Sequence, residues 1–253
     1  MRSVAASGAG APHPFDGENV RRTVLSTLIL ASLAFAGEAA AQARGPRGAA
    51  GSFLLVGWQR ADLDALNTAL ATHGYPEFSK DFVALGAGGY RRFGRLLVGA
   101  EAATLVSTDG TVDADDFELR LSGGQGALDL GYALIDGPIR LYPLAAIGVS
   151  GLCLRISETG RVRFDDVLDR PGRSIEMNQA ALLLRLGLAV ERPFGGERGG
   201  FVLGLRAGYA FAPFTSDWGT DDDTLDIVGG PDARAKGLFL GLTLGGEARR
   251  RRS

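Results

Sequence analysis

The segment "GLFLGLTLGG" at 237–246 sets Leu238, Leu240, Leu242 and Leu244 against Phe239, Gly241, Thr243 and Gly245. An extended strand gathers such leucines on one face, whereas a helix would scatter them around its circumference. Segment 95–107 repeats the pattern, with Leu96, Val98, Ala100, Ala102 and Val106 on one side and Gly99 and Glu101 on the other. In 201–214, Phe201, Leu203, Leu205, Ala207, Tyr209 and Phe211 oppose Gly204, Arg206, Gly208 and Ala210. The run "ALLLRLGLAVERPF" at 181–194 is ambiguous alone, because Leu182, Leu186, Ala189 and Val190 also share a helical face. Its neighbours decide for a strand. Counting 51–58, 82–93, 117–135 and 138–156 as well, the chain carries about eight strand-like segments.

Glycine and proline supply 48 of 253 residues, about 19% against the roughly 12% of average usage, which favours turns and close backbone approach over long helices. A net charge of −2 provides no basic field for nucleic acid. The lone Cys153 excludes an intrachain disulfide framework and reads as a small inert hydrophobe. Near the N-terminus, Arg21 and Arg22 precede "TVLSTLILASLAFAG", and "AAAQA" at 39–43 offers small residues for cleavage after Ala43. That order is a secretory signal peptide, so residues 1–43 are expected to be an extension plus a cleaved leader. The polar residues 1–20 fit poorly before such a leader and suggest a true start near Val20. Beyond the leader no apolar run approaches the roughly 18 residues of a membrane-spanning helix.

The connections between segments alternate in length. Gly94, "DG" at 136–137 and "GGERGG" at 195–200 are short, whereas 59–81, 108–116, 157–180 and 215–236 are long. With its leader, its segments of about ten residues and this loop parity, the chain resembles the small outer-membrane β-barrel proteins of two-membraned bacteria. The resemblance spans most of 51–246. It implies an all-β fold, an antiparallel up-and-down transmembrane β-barrel of about eight strands, with short periplasmic turns and long external loops. Residues 44–248 would form the barrel and 249–253 a basic tail. Such barrels commonly end on an aromatic residue, whereas this chain continues into "GGEARRRRS". The resemblance further implies a monomer in the cell outer membrane, with membrane lipid, lipopolysaccharide and the barrel-insertion machinery as partners. The first long connection contains "ADLDALNTALATHGYP", in which Asp62 can cap a helix over 61–74 with Leu63, Leu66 and Leu70 on one stripe. That helix could cover the mouth, plug the barrel or lie along its rim.

If the leucines face lipid, Glu101, Asp129, Arg185 and Arg206 point into the lumen, since a lipid-facing arginine at mid-depth costs roughly 2–4 kcal/mol. Two acids and two bases suggest an ion-paired belt that fills a lumen barely wide enough for side chains. The belt reads either as a satisfied polar core or as a proton- or ligand-responsive gate. In the long connections, Asp113, Asp115, Asp116, Asp221, Asp222 and Asp223 could take divalent cations weakly, although their spacing matches no calcium loop and equally suits a solvated surface. No confident metal site and no cofactor are expected.

An enzyme reading is poorly supplied. After the leader only His73 could serve as a histidine base, beside Ser107, Ser157 or Ser216, and no G-x-S-x-G motif occurs. "GAGG" at 86–89 is not followed by a helix and belongs to a strand. The expected function is therefore non-enzymatic: a structural or interaction role at the cell surface, or a narrow conduit for small solutes. The alternatives are a lipid-modifying enzyme of the outer membrane and a soluble periplasmic barrel with its leucines turned inward around an apolar ligand.

Overall fold

The computed structural model describes residues 48–114, 117–159, 174–196, 199–220, 227 and 229–249. The leader at 1–43, Asp115, Asp116, Asp221, Asp222, Asp223 and residues 250–253 of the basic tail lie outside them. The fold is mostly antiparallel β-sheet with one short helix. The long strands are β1 (Gly48–Arg60), β2 (Asp81–Phe93), β3 (Leu96–Ala114) and β4 (Phe117–Tyr132), followed by β6 (Arg140–Glu158), β7 (Ser174–Gly196), β8 (Gly199–Phe211) and β10 (Gly237–Arg249). Two short strands, β5 (Ile135–Asp136) and β9 (Gly219–Thr220), extend the edges of β6 and β7. The helix α1 (Asp64–Thr72) follows β1.

Eight of the ten strands form a ring. Neighbours pair in the order β1, β2, β3, β4, β6, β7, β8, β10, and β10 returns to β1 with Ala49 opposite Arg249 and Gln59 opposite Phe239. The leucine parity faces outward: Leu186 and Leu188 on β7, Leu203 and Leu205 on β8, and Leu238, Leu240, Leu242 and Leu244 on β10 are exposed. Their strand neighbours Leu183, Arg185, Ala189, Arg206 and Thr243 are buried. The period-two pattern thus sorts a greasy exterior from a mixed interior, residue by residue.

Two of the expected loops are partly strand. Residues 108–114 continue β3 and 174–180 belong to β7, so these hairpins extend past the ring's shorter strands. "TDG" at 108–110 reads as a break because Asp-Gly is a turn signal. It instead forms an irregularity in the β3–β4 ladder between Val106 and Thr111, and Gly110 takes the positive φ of 67° there. Pairing then resumes from Thr111 opposite Arg120 to Ala114 opposite Phe117.

The helix is shorter than expected, and Asp62 does not cap it. Leu63 holds the cap position, with no side-chain hydrogen bond. Asp62 is committed elsewhere: its N–H donates to the Arg234 carbonyl at 2.8 Å, and its carbonyl accepts from the Arg234 N–H at 3.0 Å. The leucine stripe is the stronger determinant. Leu63, Leu66 and Leu70 share one buried cluster with the inward-facing Phe82, Leu105, Leu119, Leu121, Leu152 and Leu154. The helix therefore sits over the long-connection mouth, not along the outer rim. Buried amides fasten the segments around it. Asn67 donates to the Phe78 carbonyl at 2.8 Å and accepts from its N–H at 3.1 Å, while Gln59 donates to the Ala235 carbonyl at 3.0 Å. Gln179 donates to the Ser216 carbonyl and accepts from the Ala233 N–H.

Truncating Leu66 to Ala is expected to lower stability by about 2–5 kcal/mol through the cavity it leaves. Asp62→Ala, which removes only an exposed contact to Lys236 at 3.4 Å, should cost under about 1 kcal/mol. Urea unfolding of the refolded full chain distinguishes the two, and a larger loss for Asp62→Ala would restore the capping role.

Candidate functional site

The interior of the ring is organised in layers along its axis. Beneath the apolar layer under α1 lie Glu101 on β3, Asp129 on β4, Arg185 on β7 and Arg206 on β8, all buried. Arg206 reaches across the ring from β8 to Glu101 on β3, with Nη1 donating to Oε2 at 2.7 Å. Arg185 Nη2 lies 2.5 Å from the other Glu101 oxygen. Asp129 is looser, 3.6 Å from Arg185 and 3.8 Å from Arg206. The guanidinium of Arg206 also stacks 4.4 Å from the Phe53 ring centroid, which gives its apolar faces a partner. The four residues singled out in the sequence are thus in one contact group.

A second polar layer, towards the short-turn end, was not singled out. Arg140 forms a two-pronged pair with Glu247, at 2.5 Å and 2.8 Å, and lies 3.7 Å from Glu191. The Tyr90 hydroxyl donates to Glu247 at 3.1 Å, and the Tyr142 hydroxyl donates to Glu191. Arg140 also approaches Asp136 at 3.8 Å, and Arg92 holds that same carboxylate at 2.8 Å. Arg206 joins the layers through a 4.0 Å approach to Glu191. Among the buried side chains described, four carboxylates (Glu101, Asp129, Glu191, Glu247) face three guanidiniums (Arg140, Arg185, Arg206). The two tyrosine hydroxyls supply donors where a fourth cation is missing.

Glycine makes room for this chemistry. At Gly88, opposite Glu101 in the β2–β3 ladder, a Cβ would stand 2.5 Å from Phe53 and 2.9 Å from the Glu101 Cβ. At Gly51 it would stand 2.8 Å from the Tyr90 ring. The "GAGG" stretch is thus a strand pared down where large inward side chains cross. Little space is left: one cavity of ≈ 20 Å³ borders Glu101, Gln125, Arg185 and Arg206, and another of ≈ 10 Å³ borders Tyr90, Asp129 and Tyr142. Each is about one water in size. Gln125 Oε1, Ser150 Oγ and Arg185 Nε lack a hydrogen-bond partner among the described residues.

The remaining candidates do not join this group. His73 ends the helix on the exposed side, with Nδ1 2.8 Å from the Ala69 carbonyl. Ser157 contacts Ser174 at 3.1 Å, Ser216 accepts from the Ala180 N–H at 3.0 Å, and Ser107 lies 3.4 Å from the Asp109 N–H. None of these bonds joins His73 to a serine, so the pairing that the lipid-modifying reading requires is not formed. Asp113 is exposed on β3 opposite Glu118. Among the described residues no cluster of three His, Cys, Asp or Glu could hold a metal ion. The leucine faces point outward, opposite to the orientation that a soluble barrel around an apolar ligand requires.

No protein-family model matches the chain, and no curated protein matches it. Three of the solved structures it is similar to follow. The attachment invasion locus protein Ail of Yersinia pestis shows 12% identity and a TM-score of 0.45, covering 81% of this chain and 99% of that one. A major outer membrane protein from Thermus thermophilus shows 13% identity and a TM-score of 0.41, covering 79% and 99%. The outer membrane protease OmpT from Escherichia coli shows 12% identity and a TM-score of 0.38, covering 82% and 98%.

Removing one member of the central pair strands its partner. Arg206→Met is expected to cost about 3–5 kcal/mol, and the double variant with Glu101→Leu to recover part of that loss. Unfolding midpoints of the single and double variants give the coupling. Strictly additive losses would mean that the pair is not coupled.

Proposed function

We propose that the chain is a closed, eight-stranded transmembrane barrel of the outer membrane. In this reading it is exported by a cleaved leader, is monomeric and non-catalytic, and has a lumen filled by side chains. The observation that carries the proposal is the exterior. Exposed apolar side chains occur on all eight ring strands, including Leu54 and Val56 on β1, Leu85 on β2, Val98 on β3, Leu128 and Leu130 on β4, and Ile147 on β6. A soluble monomer rarely exposes more than a few hundred Å² of contiguous apolar surface. Lipid removes the penalty for a belt that encircles the molecule.

Aromatic residues support the same reading. Phe93, Tyr132, Phe194 and Phe201 are exposed near the short-turn end, and Phe211 and Phe214 near the other. Such pairs of girdles mark the two interfaces of a bilayer. Between them β8 runs from Phe201 to Phe211, about 25 Å of membrane height once strand tilt is allowed for. The long connections and α1 would face outward and the short turns the periplasm. Lipopolysaccharide would then surround the helix end, and the insertion machinery would act on the strands. A lumen crossed by ion pairs and roofed by apolar side chains favours a structural or interaction role over conduction.

The test is membrane fractionation with heat-modifiable migration on a gel, followed by planar-bilayer recording. The full chain is expected in the detergent-extracted outer-membrane fraction, with a shift on boiling and no steady conductance. A freely soluble protein without a shift overturns the membrane reading, and stable conductance would make the lumen a narrow conduit. Leu242→Arg, which places a charge on the lipid face, should reduce folding into vesicles by about 2–4 kcal/mol.

A further inference from the structure

The motif R-x-F occurs twice at the short-turn end of the ring. On β2, Arg91 and Phe93 share the outward parity around the inward Arg92; on β7, Arg192 and Phe194 do so around Pro193. In each case the guanidinium stands over the aromatic ring two residues nearer the turn, at 6.0 Å for Arg91 over Phe93 and 5.0 Å for Arg192 over Phe194. Both arginines therefore lean towards the end of the molecule and not into the apolar belt. β2 and β7 are four strands apart in either direction around the ring, so the two motifs stand on opposite sides. Arg95, exposed in the turn after β2, adds a third cation close to Phe93. Among the described residues of this rim, the Asp136 carboxylate is held by Arg92 and Arg140.

Long cationic side chains at a membrane boundary carry their charge to the headgroups while their stems stay in hydrocarbon. A guanidinium matches the oxygens of a phosphodiester with a two-pronged set of donors, and the aromatic ring below it covers its apolar face. From this arrangement we infer that the two R-x-F motifs are binding sites for anionic glycerophospholipid, with Arg91 and Arg192 each holding the headgroup phosphate of a lipid in the leaflet at the short-turn end. The inference rests on the transmembrane reading. The proposed ligand is a phosphatidylglycerol-type lipid, because the described outward-facing charges at this rim are cationic and attract a net negative headgroup over a zwitterionic one.

The test uses the full chain folded into vesicles of phosphatidylcholine alone and into vesicles with added phosphatidylglycerol. Heat-modifiable migration checks insertion in both. Lipid retained after extraction into mild detergent is then counted by native mass spectrometry. Enrichment of phosphatidylglycerol over phosphatidylcholine is expected, falling by about fivefold for each arginine replaced in Arg91→Gln and Arg192→Gln. Arg120→Gln, at the opposite end, should change nothing. Insertion in both vesicles with equal retention of the two lipids overturns this inference alone. So does undiminished enrichment in the double variant, or preference for lipopolysaccharide when both are supplied. A chain that inserts in neither vesicle overturns the transmembrane reading and this inference with it.

Discussion

Backbone hydrogen bonding around the ring is the constraint on which the other features depend. Because β10 returns to β1, the ring strands have partners on both sides where they overlap, and the ring itself leaves no long free edge. Eight strands bent into a ring enclose a narrow interior, and alternate residues of every strand must go there whatever their chemistry. The interior of this chain accepts arginine and glutamate because they reach one another across it. Arg206 meets Glu101 from the opposite wall, and Arg140 meets Glu247 three strands away. These contacts brace the walls as well as neutralise charge.

Much of this was legible in the sequence, because strand parity has a period of two and repeats in segment after segment. The segments and their outward leucines follow from that period, and the alternation of connection lengths was legible separately, from the spacing between segments. The second polar layer was not legible for a physical reason. Arg140, Glu191 and Glu247 lie near strand ends, where a charge reads as ordinary solvation, and only the register shows that Arg140 faces Glu191 while Glu247 comes within its reach. The extended hairpin past Val106 was hidden by Asp-Gly, which marks a turn in most settings and here marks an irregularity within a ladder. Asp62 failed as a cap because a backbone bridge to Arg234, more than 170 positions away, claims its main chain. No local pattern contains that partner.

The two ends of the ring differ in how they are sealed. At the helix end the seal is apolar: Leu63, Leu66 and Leu70 lie on Phe82 and the leucines of β3, β4 and β6, with buried amides of Asn67, Gln59 and Gln179 fastening the loops. At the turn end the interior is polar, with arginine, glutamate and tyrosine in contact. An end sealed by packing can vary its loops without disturbing the charges below, because none of the described inner ion pairs involves a residue of α1.

The seam between β1 and β10 joins residues from opposite ends of the chain, Ala49 with Arg249 and Leu54 with Leu244. Such a contact is the most non-local of the ring's strand pairings, so its loop-closure entropy must be met before any of its hydrogen bonds form. β1 exposes an unpaired edge until β10 arrives. Ring closure is therefore expected to be a late and slow event in folding, and the interval before it is when the chain is most exposed to mispairing with another strand.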